Sequence, residues 1–396
     1  MKKLLFVSSL EGVGGTEISL LNLLQQIDKE KVSVDLALIG ERGPLVEKVP
    51  DWIRIVWIES KTPKEYVASA LMKKKVLTAL QGVRRYAFLR NNWRRTHVDT
   101  MCQYEHSLYL YSPVKEKYDV AITWYVPNSI HTVFTLNNVT AKRKVMWIHM
   151  DVSMDFMPSD SETVLQEYDR IYCVSKACKM RFDEKYRSCQ SKTEVYYNLI
   201  DVSELKKAGM VPVPGIIEGR FYIATSGRIA PEKQPLYAIQ IVESLVSSGI
   251  RNFVWLFIGD GVLRKDLEQK VENKNLQDYF VFLGRLDNPY AYIRKSNLYV
   301  QMSLHESFCL TLAEAQVLGI PSISTDFPSA YEIVQNGKTG CIVPNSCEEI
   351  ARSIKQIITH PDIYSKMRND LEHYELKCIG TPQQLLSYVY EGESEF

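Results

Sequence analysis

A chain of 396 residues is longer than one ordinary hydrophobic core supports and predicts two domains of roughly 150–200 residues each. Hydrophobic residues at 45% and charged residues at 24% form an ordinary soluble balance, and a net charge of +1 leaves no global electrostatic case for a nucleic-acid partner. The 8 cysteines contain no Cys-x-x-Cys pair and sit in apolar or helical contexts, which predicts reduced thiols in a cytoplasmic protein, not a disulfide framework or a zinc site.

The first apolar run is only Leu4 to Val7, with Glu11 close behind, which suits a buried strand over Leu4–Ser8 better than a signal peptide. Nowhere does such a run reach the ~18–20 residues that span a bilayer. A loop from Glu11 to Thr16, an amphipathic helix from Glu17 to about Ile27 and a second strand over Val32–Ile39 follow. Strand, glycine loop, helix and strand make the start of a doubly wound α/β domain. Gly14 and Gly15 let the backbone come close to a ligand or a partner domain. The dinucleotide fingerprint is incomplete, because Glu17 occupies the third glycine position, and this disfavours an oxidoreductase.

Composition changes between Lys64 and Arg95. Lys64, Lys73, Lys74, Lys75, Arg84, Arg85, Arg90, Arg94 and Arg95 stand against one acid, Glu65, with Leu71, Leu77, Leu80, Phe88, Leu89 and Trp93 among them. A basic amphipathic helical insertion of this kind suits an anionic membrane surface, where each base adds ~1 kcal/mol. The alternative is a solvated insertion whose bases pair elsewhere in the fold. Sparse aromatic interleaving again speaks against nucleic acid.

Strands are expected at Val120–Trp124 and Lys144–His149. His149 ends its strand where α/β ligand clefts open; it is placed to donate to a phosphate or hydroxyl, or it is a structural histidine. Short strands at Arg170–Val174 and Glu194–Asn198 lead out of the first domain, and Pro212 and Pro214 mark a linker from Lys206 to Gly219.

The second half begins with a strand over Phe221–Thr225, a turn from Ser226 to Lys233, and a helix over Pro235–Ser247. Arg228 and Lys233 thus lie between a strand end and a helix start, where cations meet a pyrophosphate and can stand in for a divalent metal. Val254–Ile258 leads into Gly259-Asp260-Gly261, Phe280–Leu283 into Gly284, and Asn297–Gln301 into a turn carrying Glu306. Glu314 lies inside the next helix, Leu310–Leu318, which Gly319 and Pro321 end before a strand over Ser322–Thr325. Such units bind anions at their helix N-termini. Two solvated glutamates are the plain alternative. Helical residues from Cys347 to Met367 follow, and a final helix over Thr381–Tyr390 is expected to pack back on the first domain.

These residues carry a resemblance. Gly14-Gly15-Thr16-Glu17, Val174-Ser175-Lys176, Asn198 through Asp201, Ser226 through Lys233, Ile258 through Gly261, Glu306 through Glu314, Gly319-Ile320-Pro321, Tyr331 through Gly337, Thr339-Gly340 and Val343-Pro344 are co-linear with, and resemble, retaining glycosyltransferases of family 4. The similarity covers nearly all of the C-terminal half and scattered points of the N-terminal half. It implies the GT-B architecture: two Rossmann-like doubly wound domains facing each other across a cleft. The expected division is 1–205 on the acceptor side with the basic insertion at 64–95, 206–380 holding a nucleotide sugar, and a last helix in 381–396.

What the resemblance implies for the site is specific. Glu314 meets the donor's ribose hydroxyls and Glu306 the hydroxyls of the donor sugar. Gly227, Arg228 and Lys233 surround the diphosphate, with Gly259 and Asp260 beside them. Phe308, Cys309 and Leu310 bring backbone N–H groups to the distal phosphate, and Ser307 belongs to the same donor-binding set. His149 faces the donor sugar, and Gly14, Gly15 and Thr16 lie on the acceptor side. Cys309 departs from the family, where many relatives have glycine.

The expected activity is metal-independent hexosyl transfer with retention. Its donor is a nucleotide diphosphate sugar, UDP-linked first and GDP-linked next. Its acceptor is a glycan or lipid-linked glycan of surface polysaccharide (capsule) or glycoconjugate biosynthesis. Glu306, His149, Arg228 and Lys233 are the expected catalytic group, with fixed cations taking up the charge of the leaving diphosphate. No Asp-x-Asp occurs in the sequence, so no cofactor and no metal are expected. A peripheral position on the inner face of the cell membrane follows from the basic insertion. The competing readings are a nucleotide-sugar epimerase or hydrolase of the same architecture and a non-catalytic nucleotide-sugar-binding protein.

Overall fold

The computed structural model describes residues 1–92, 100–152 and 161–391, so Trp93, Arg94 and Arg95 of the basic segment lie outside the described residues. The chain divides into two compact units, one of Met1–Leu199 with the residues from Gly380 onward, the other of Ile200–Ile379.

Unit 1 runs β1 (Lys2–Ser8), α1 (Gly15–Gln26), β2 (Val32–Ile39), β3 (Arg54–Ile58), α2 (Pro63–Met72), α3 (Val76–Asn92), α4 (Thr100–Ser107), β4 (Lys117–Thr123), α5 (Ile130–Asn138), β5 (Thr140–Ile148), α6 (Ser161–Leu165), β6 (Arg170–Cys173), α7 (Lys176–Lys185) and β7 (Thr193–Val195). Its seven strands lie in the order β3-β2-β1-β4-β5-β6-β7. Every pairing is parallel. Leu4 to Val7 are wholly buried, as a central parallel strand covered on both faces requires. β3, not predicted from the sequence, is an edge strand whose Arg54 and Trp57 are exposed and whose Ile55, Val56 and Ile58 are only half-buried.

Inside this sheet sits a buried carboxylate. Asp35 on β2 accepts from Arg54 Nε at 3.0 Å and Nη2 at 2.6 Å, and from the Tyr118 hydroxyl at 2.7 Å. Burial works to raise its pKa, but these donors hold it below its ordinary value.

Unit 2 runs α8 (Val202–Gly209), β8 (Phe221–Ser226), α9 (Pro235–Ser247), β9 (Phe253–Ile258), α10 (Arg264–Asn273), β10 (Phe280–Gly284), α11 (Tyr290–Lys295), β11 (Leu298–Gln301), α12 (Leu310–Val317), β12 (Ser322–Thr325), α13 (Ala330–Ile333), β13 (Gly340–Val343), α14 (Cys347–Thr359) and α15 (Pro361–Glu372). Its six parallel strands lie in the order β10-β9-β8-β11-β12-β13. Ile223, Trp255, Phe257 and Ile323 from the sheet pack with Ile239 and Val242 of α9 and Ile354 of α14. The stretch read as a linker begins inside a helix: Asp201 caps α8 by accepting from the Glu204 N–H at 2.9 Å.

The last helix, α16 (Pro382–Val389), belongs to unit 1. Gly380 donates its N–H to the Asn198 carbonyl at 3.1 Å, and Arg143 on β5 donates to the Tyr388 and Val389 carbonyls at 2.7 and 2.6 Å. These bonds satisfy carbonyls at the helix's C-terminal end, where a cation is also favoured by the helix dipole.

Candidate functional site

Each sheet reverses its strand order once, between β1 and β4 in unit 1 and between β8 and β11 in unit 2. Beyond the carboxyl ends of strands at such a reversal, the loops diverge and leave room for a ligand. In unit 2 the two turns are Gly227–Gln234 after β8 and Met302–Cys309 after β11.

The turn after β8 owes its path to glycines. Gly227 has φ +152° and Gly259 φ +145°. A Cβ on Gly259 would fall 1.9 Å from the Gly227 carbonyl oxygen, and one on Gly261 would fall 2.4 Å from that of Ile229. The turns after β8 and β9 therefore interlock backbone to backbone, which any side chain there would prevent. A 3-10 turn at Pro231–Lys233 then delivers Lys233.

Lys233 forms an ion pair with Glu306 Oε1. The same oxygen accepts from Ser303 Oγ at 2.7 Å and from Gln301 Nε2 at 3.4 Å. Gln301 Nε2 also donates to Ser303 Oγ at 2.7 Å, and Gln301 Oε1 accepts from the Tyr299 hydroxyl at 3.0 Å. A polar chain thus rises along β11 through alternate residues Tyr299, Gln301 and Ser303, which share one face of the strand, and ends on the carboxylate. Burial disfavours the charged Lys233 ammonium, but Glu306, with Cys309 and Glu232 nearby, holds its pKa above the ordinary value. The Leu304 N–H donates to the Glu232 carbonyl at 2.9 Å, tying the two turns together.

Glu306 leads into the start of α12. Cys309, at the N-cap, is in the left-handed region with φ +81° and ψ +74°. Its thiol is buried, 3.8 Å from the Thr311 hydroxyl, and burial followed by the Glu306 charge pushes its pKa up. Leu310 opens the helix, whose first N–H groups have no intrahelical acceptor and carry the positive end of the helix dipole. Further along, the buried Glu314 carboxylate accepts from the Tyr290 hydroxyl at 3.0 Å. Burial pushes its pKa up to about 7, against the lowering effect of Tyr290.

The expected site residues do not all converge. Lys233, Glu306 and Cys309 form one cluster, and Glu314 sits on the same helix with Tyr290. Arg228 is exposed and pairs with Glu232 at 3.5 Å. Asp260 is taken up by its neighbours, accepting from the Gly261 N–H at 2.8 Å and from Arg264 at 3.2 Å. Phe308 is buried and Ser307 half-buried beside the helix start.

In unit 1, Gly14 donates its N–H to Glu17 Oε2 at 3.0 Å, so the Glu17 side chain reaches back to the N-cap of α1. Glu17 therefore places its own carboxylate where a dinucleotide fingerprint would seat a pyrophosphate. The Thr16 carbonyl accepts from Trp124 Nε1 at 3.0 Å, and the His149 ring lies 4.7 Å from the Trp124 ring, centre to centre. Desolvation among these aromatics pushes the His149 pKa down to about 3, so its imidazole is neutral at pH 7.

Sequence reading missed Trp124, Tyr290, Gln301 and Ser303. A run of polar residues directly after the apolar strand, Gln301 and Ser303 before Glu306, was the signal available; nothing in the local sequence points to Tyr290. Among the described residues no group of three or more His, Cys, Asp or Glu is disposed to hold a metal ion.

Residues 210–376 match the family of glycosyl transferases group 1. This segment is a glycosyl transferases group 1 domain. It contains every unit 2 site residue named above. A 2-deoxystreptamine glucosyltransferase of Streptomyces kanamyceticus is 32% identical over 164 residues, 41% of either chain. The UDP-Gal:alpha-D-GlcNAc-diphosphoundecaprenol alpha-1,3-galactosyltransferase of Escherichia coli is 28% identical over 131 residues, 33% of this chain and 34% of its own. The chain spans about two fifths of the length of the first curated relatives it matches. The crystal structure of Anabaena Alr3699/HepE in complex with UDP and glucose superposes over 100% of both chains with a TM-score of 0.68 at 16% identity. The two units are thus parallel-sheet, Rossmann-like α/β domains of the kind found in structures with the GT-B fold.

Proposed function

We propose that the chain transfers a hexose-type sugar, with retention and without a metal, from a nucleotide diphosphate donor to a glycan or lipid-linked glycan acceptor. The observation that carries this reading is the Lys233–Glu306 pair at the carboxyl ends of β8 and β11, adjoining the start of α12, whose first N–H groups have no intrahelical acceptor. A fixed cation and a helix N-terminus together stabilise the charge that grows on a departing diphosphate. Glu306, held by Ser303 and Gln301, is suited to accept from sugar hydroxyls. Its carboxylate is already neutralised by Lys233, which makes it a poor nucleophile. Glu314, one further turn along α12, is suited to the ribose hydroxyls, with Tyr290 fixing its orientation.

Arg228 joins the diphosphate in this reading by leaving Glu232, an exposed pairing that costs little to break. UDP is the favoured nucleotide, supported by the UDP named with the Anabaena structure and the Escherichia coli relative; GDP is next. The lipid-linked acceptor draws on that same relative's name. The basic residues of 64–92 give the chain a means of meeting an anionic membrane face from the cytoplasm.

A thermal-shift screen against nucleoside diphosphates and nucleotide sugars tests the donor half. Stabilisation by UDP or a UDP-sugar, lost in Glu314→Ala and Lys233→Ala, is expected. No stabilisation by any member would overturn the donor site. Product analysis with and without acceptor then separates transfer from hydrolysis, epimerisation and simple binding.

A further inference from the structure

Unit 1 holds an apolar feature that the donor site does not use. α2 and α3 form a hairpin so closely packed that a Cβ on Gly82 would lie 2.9 Å from the Tyr66 ring. Ala70, Ala79 and Gly82 are buried in it, while Leu71, Met72, Val76, Leu77, Leu80 and Val83 are more than half exposed. Six large apolar side chains are thus exposed within 13 consecutive residues, 71–83.

Its charge is equally one-sided. Lys64, Lys73, Lys74, Lys75, Arg84, Arg85 and Arg90 stand against Glu65 alone. None of these bases forms an ion pair with a described residue, and Arg85 instead lies 5.6 Å over the Tyr109 ring. Behind the hairpin is a cavity of about 600 Å³ whose walls include Tyr86, Leu89, Tyr104, Leu110 and Ile130, with Arg90 among the lining residues. That volume is in the range of small-ligand sites, and the mixture of apolar wall and cation matches an amphiphile with an anionic head.

We propose that this cavity takes the apolar chain of a phosphate-bearing lipid, drawn from an anionic bilayer on which the α2–α3 hairpin rests. The inference deepens the acceptor half of the proposed function and rests on it. The exposed leucines enter the acyl boundary, the lysines at 73–75 meet the headgroups, and the lipid's phosphate lies against Arg90 while its chain fills the cavity. Charge complementarity selects the anionic bilayer over a protein partner: an apolar face ringed by seven bases would bury unpaired cations against an ordinary protein surface.

The test uses the full chain. Farnesyl phosphate is titrated by calorimetry, and sedimentation is measured with phosphatidylcholine vesicles with or without phosphatidylglycerol. Leu89→Trp, which fills the cavity, is expected to weaken farnesyl phosphate at least about tenfold and leave sedimentation unchanged. Leu77→Glu/Leu80→Glu, at exposed positions, is expected to abolish sedimentation with the anionic vesicles and leave farnesyl phosphate binding within about twofold. Ser107→Leu narrows the same cavity and serves if Leu89→Trp does not fold. Equal farnesyl phosphate binding by wild type and folded cavity variants, or equal sedimentation with both vesicle types, would overturn the proposal. UDP-sugar binding on the same samples separates the outcomes: its survival beside a failed lipid titration removes this inference alone, and its loss in wild type removes the donor reading.

Discussion

Removing Lys233 probes the donor site at its centre. The side chains of Lys233 and Glu306 are 22% and 13% exposed, so their pairing lies between two limits. A surface pair contributes about 0–1 kcal/mol, whereas stranding one member of a fully buried pair costs about 3–5 kcal/mol. Glu306 would keep its hydrogen bonds from Ser303 and Gln301, each worth about 1 kcal/mol, which softens the loss. Lys233→Ala is therefore expected to destabilise the protein by about 2 kcal/mol, and Glu306→Ala by a similar amount. The double variant should fall short of the sum by about 1 kcal/mol or more, because the second substitution removes a group already left without its partner. Urea denaturation followed by circular dichroism supplies the free energies. In the proposed function Lys233 faces the departing diphosphate, and Lys233→Ala is expected to lower turnover by about two decades, equivalent to ~3 kcal/mol. Additive stabilities with unchanged donor kinetics would refute both the pairing and its role.

At Cys309 the left-handed backbone should make Cys309→Gly more stable than Cys309→Ala by about 1 kcal/mol, since only glycine escapes the Cβ penalty at φ +81°; thermal melts showing the reverse order would exclude strain there. Glu314 titrates near pH 7 when folded and near 4.5 in an ordinary setting, so folding stability should fall as pH rises between those values. Glu314→Gln should flatten that slope, and wild-type UDP-sugar affinity should rise through about pH 7 as the carboxylate forms. Asp35 acts in the opposite sense: its lowered pKa contributes stability above the ordinary value of 3.8 that disappears as pH falls through the folded value. Acid unfolding of Asp35→Asn with a limb as steep as that of wild type would remove Asp35 from this account. Transferase activity should survive EDTA, and strict dependence on added Mn²⁺ or Mg²⁺ would contradict the metal-free reading.

Elements whose residues are buried on both faces announce themselves in the sequence. Val32–Ile39, Pro235–Ser247 and Ser322–Thr325 have the expected bounds because an unbroken apolar run or a helical apolar stripe is set by the burial it undergoes. The edge strand β3 was passed over although Ile53 through Ile58 is a β-branched and aromatic run broken only by Arg54. Pro212 and Pro214 drew the linker too early, although Asp201 followed by Glu204 was a legible helix start. In the candidate site, Lys233, Glu306 and Glu314 were legible because strand ends and helix starts place their residues locally. Tyr290 was not, since its meeting with Glu314 depends on how α11 packs beside α12. Arg228 and Asp260 show a further limit: position in a turn does not reveal that Glu232 and Arg264 already engage them.

The return of α16 to unit 1 bears on how the protein is made. A ribosome delivers the helix that completes unit 1 only after the whole of residues 200–379 has been synthesised. Until then β5 lacks the partners that Arg143 finds at Tyr388 and Val389, and the Asn198 carbonyl lacks the N–H of Gly380. Unit 2, by contrast, has all of its elements, helices as well as strands, in one uninterrupted stretch. A chain truncated after Ile379 would therefore carry every element of the second unit beside a first unit that lacks α16 and is open to proteases there.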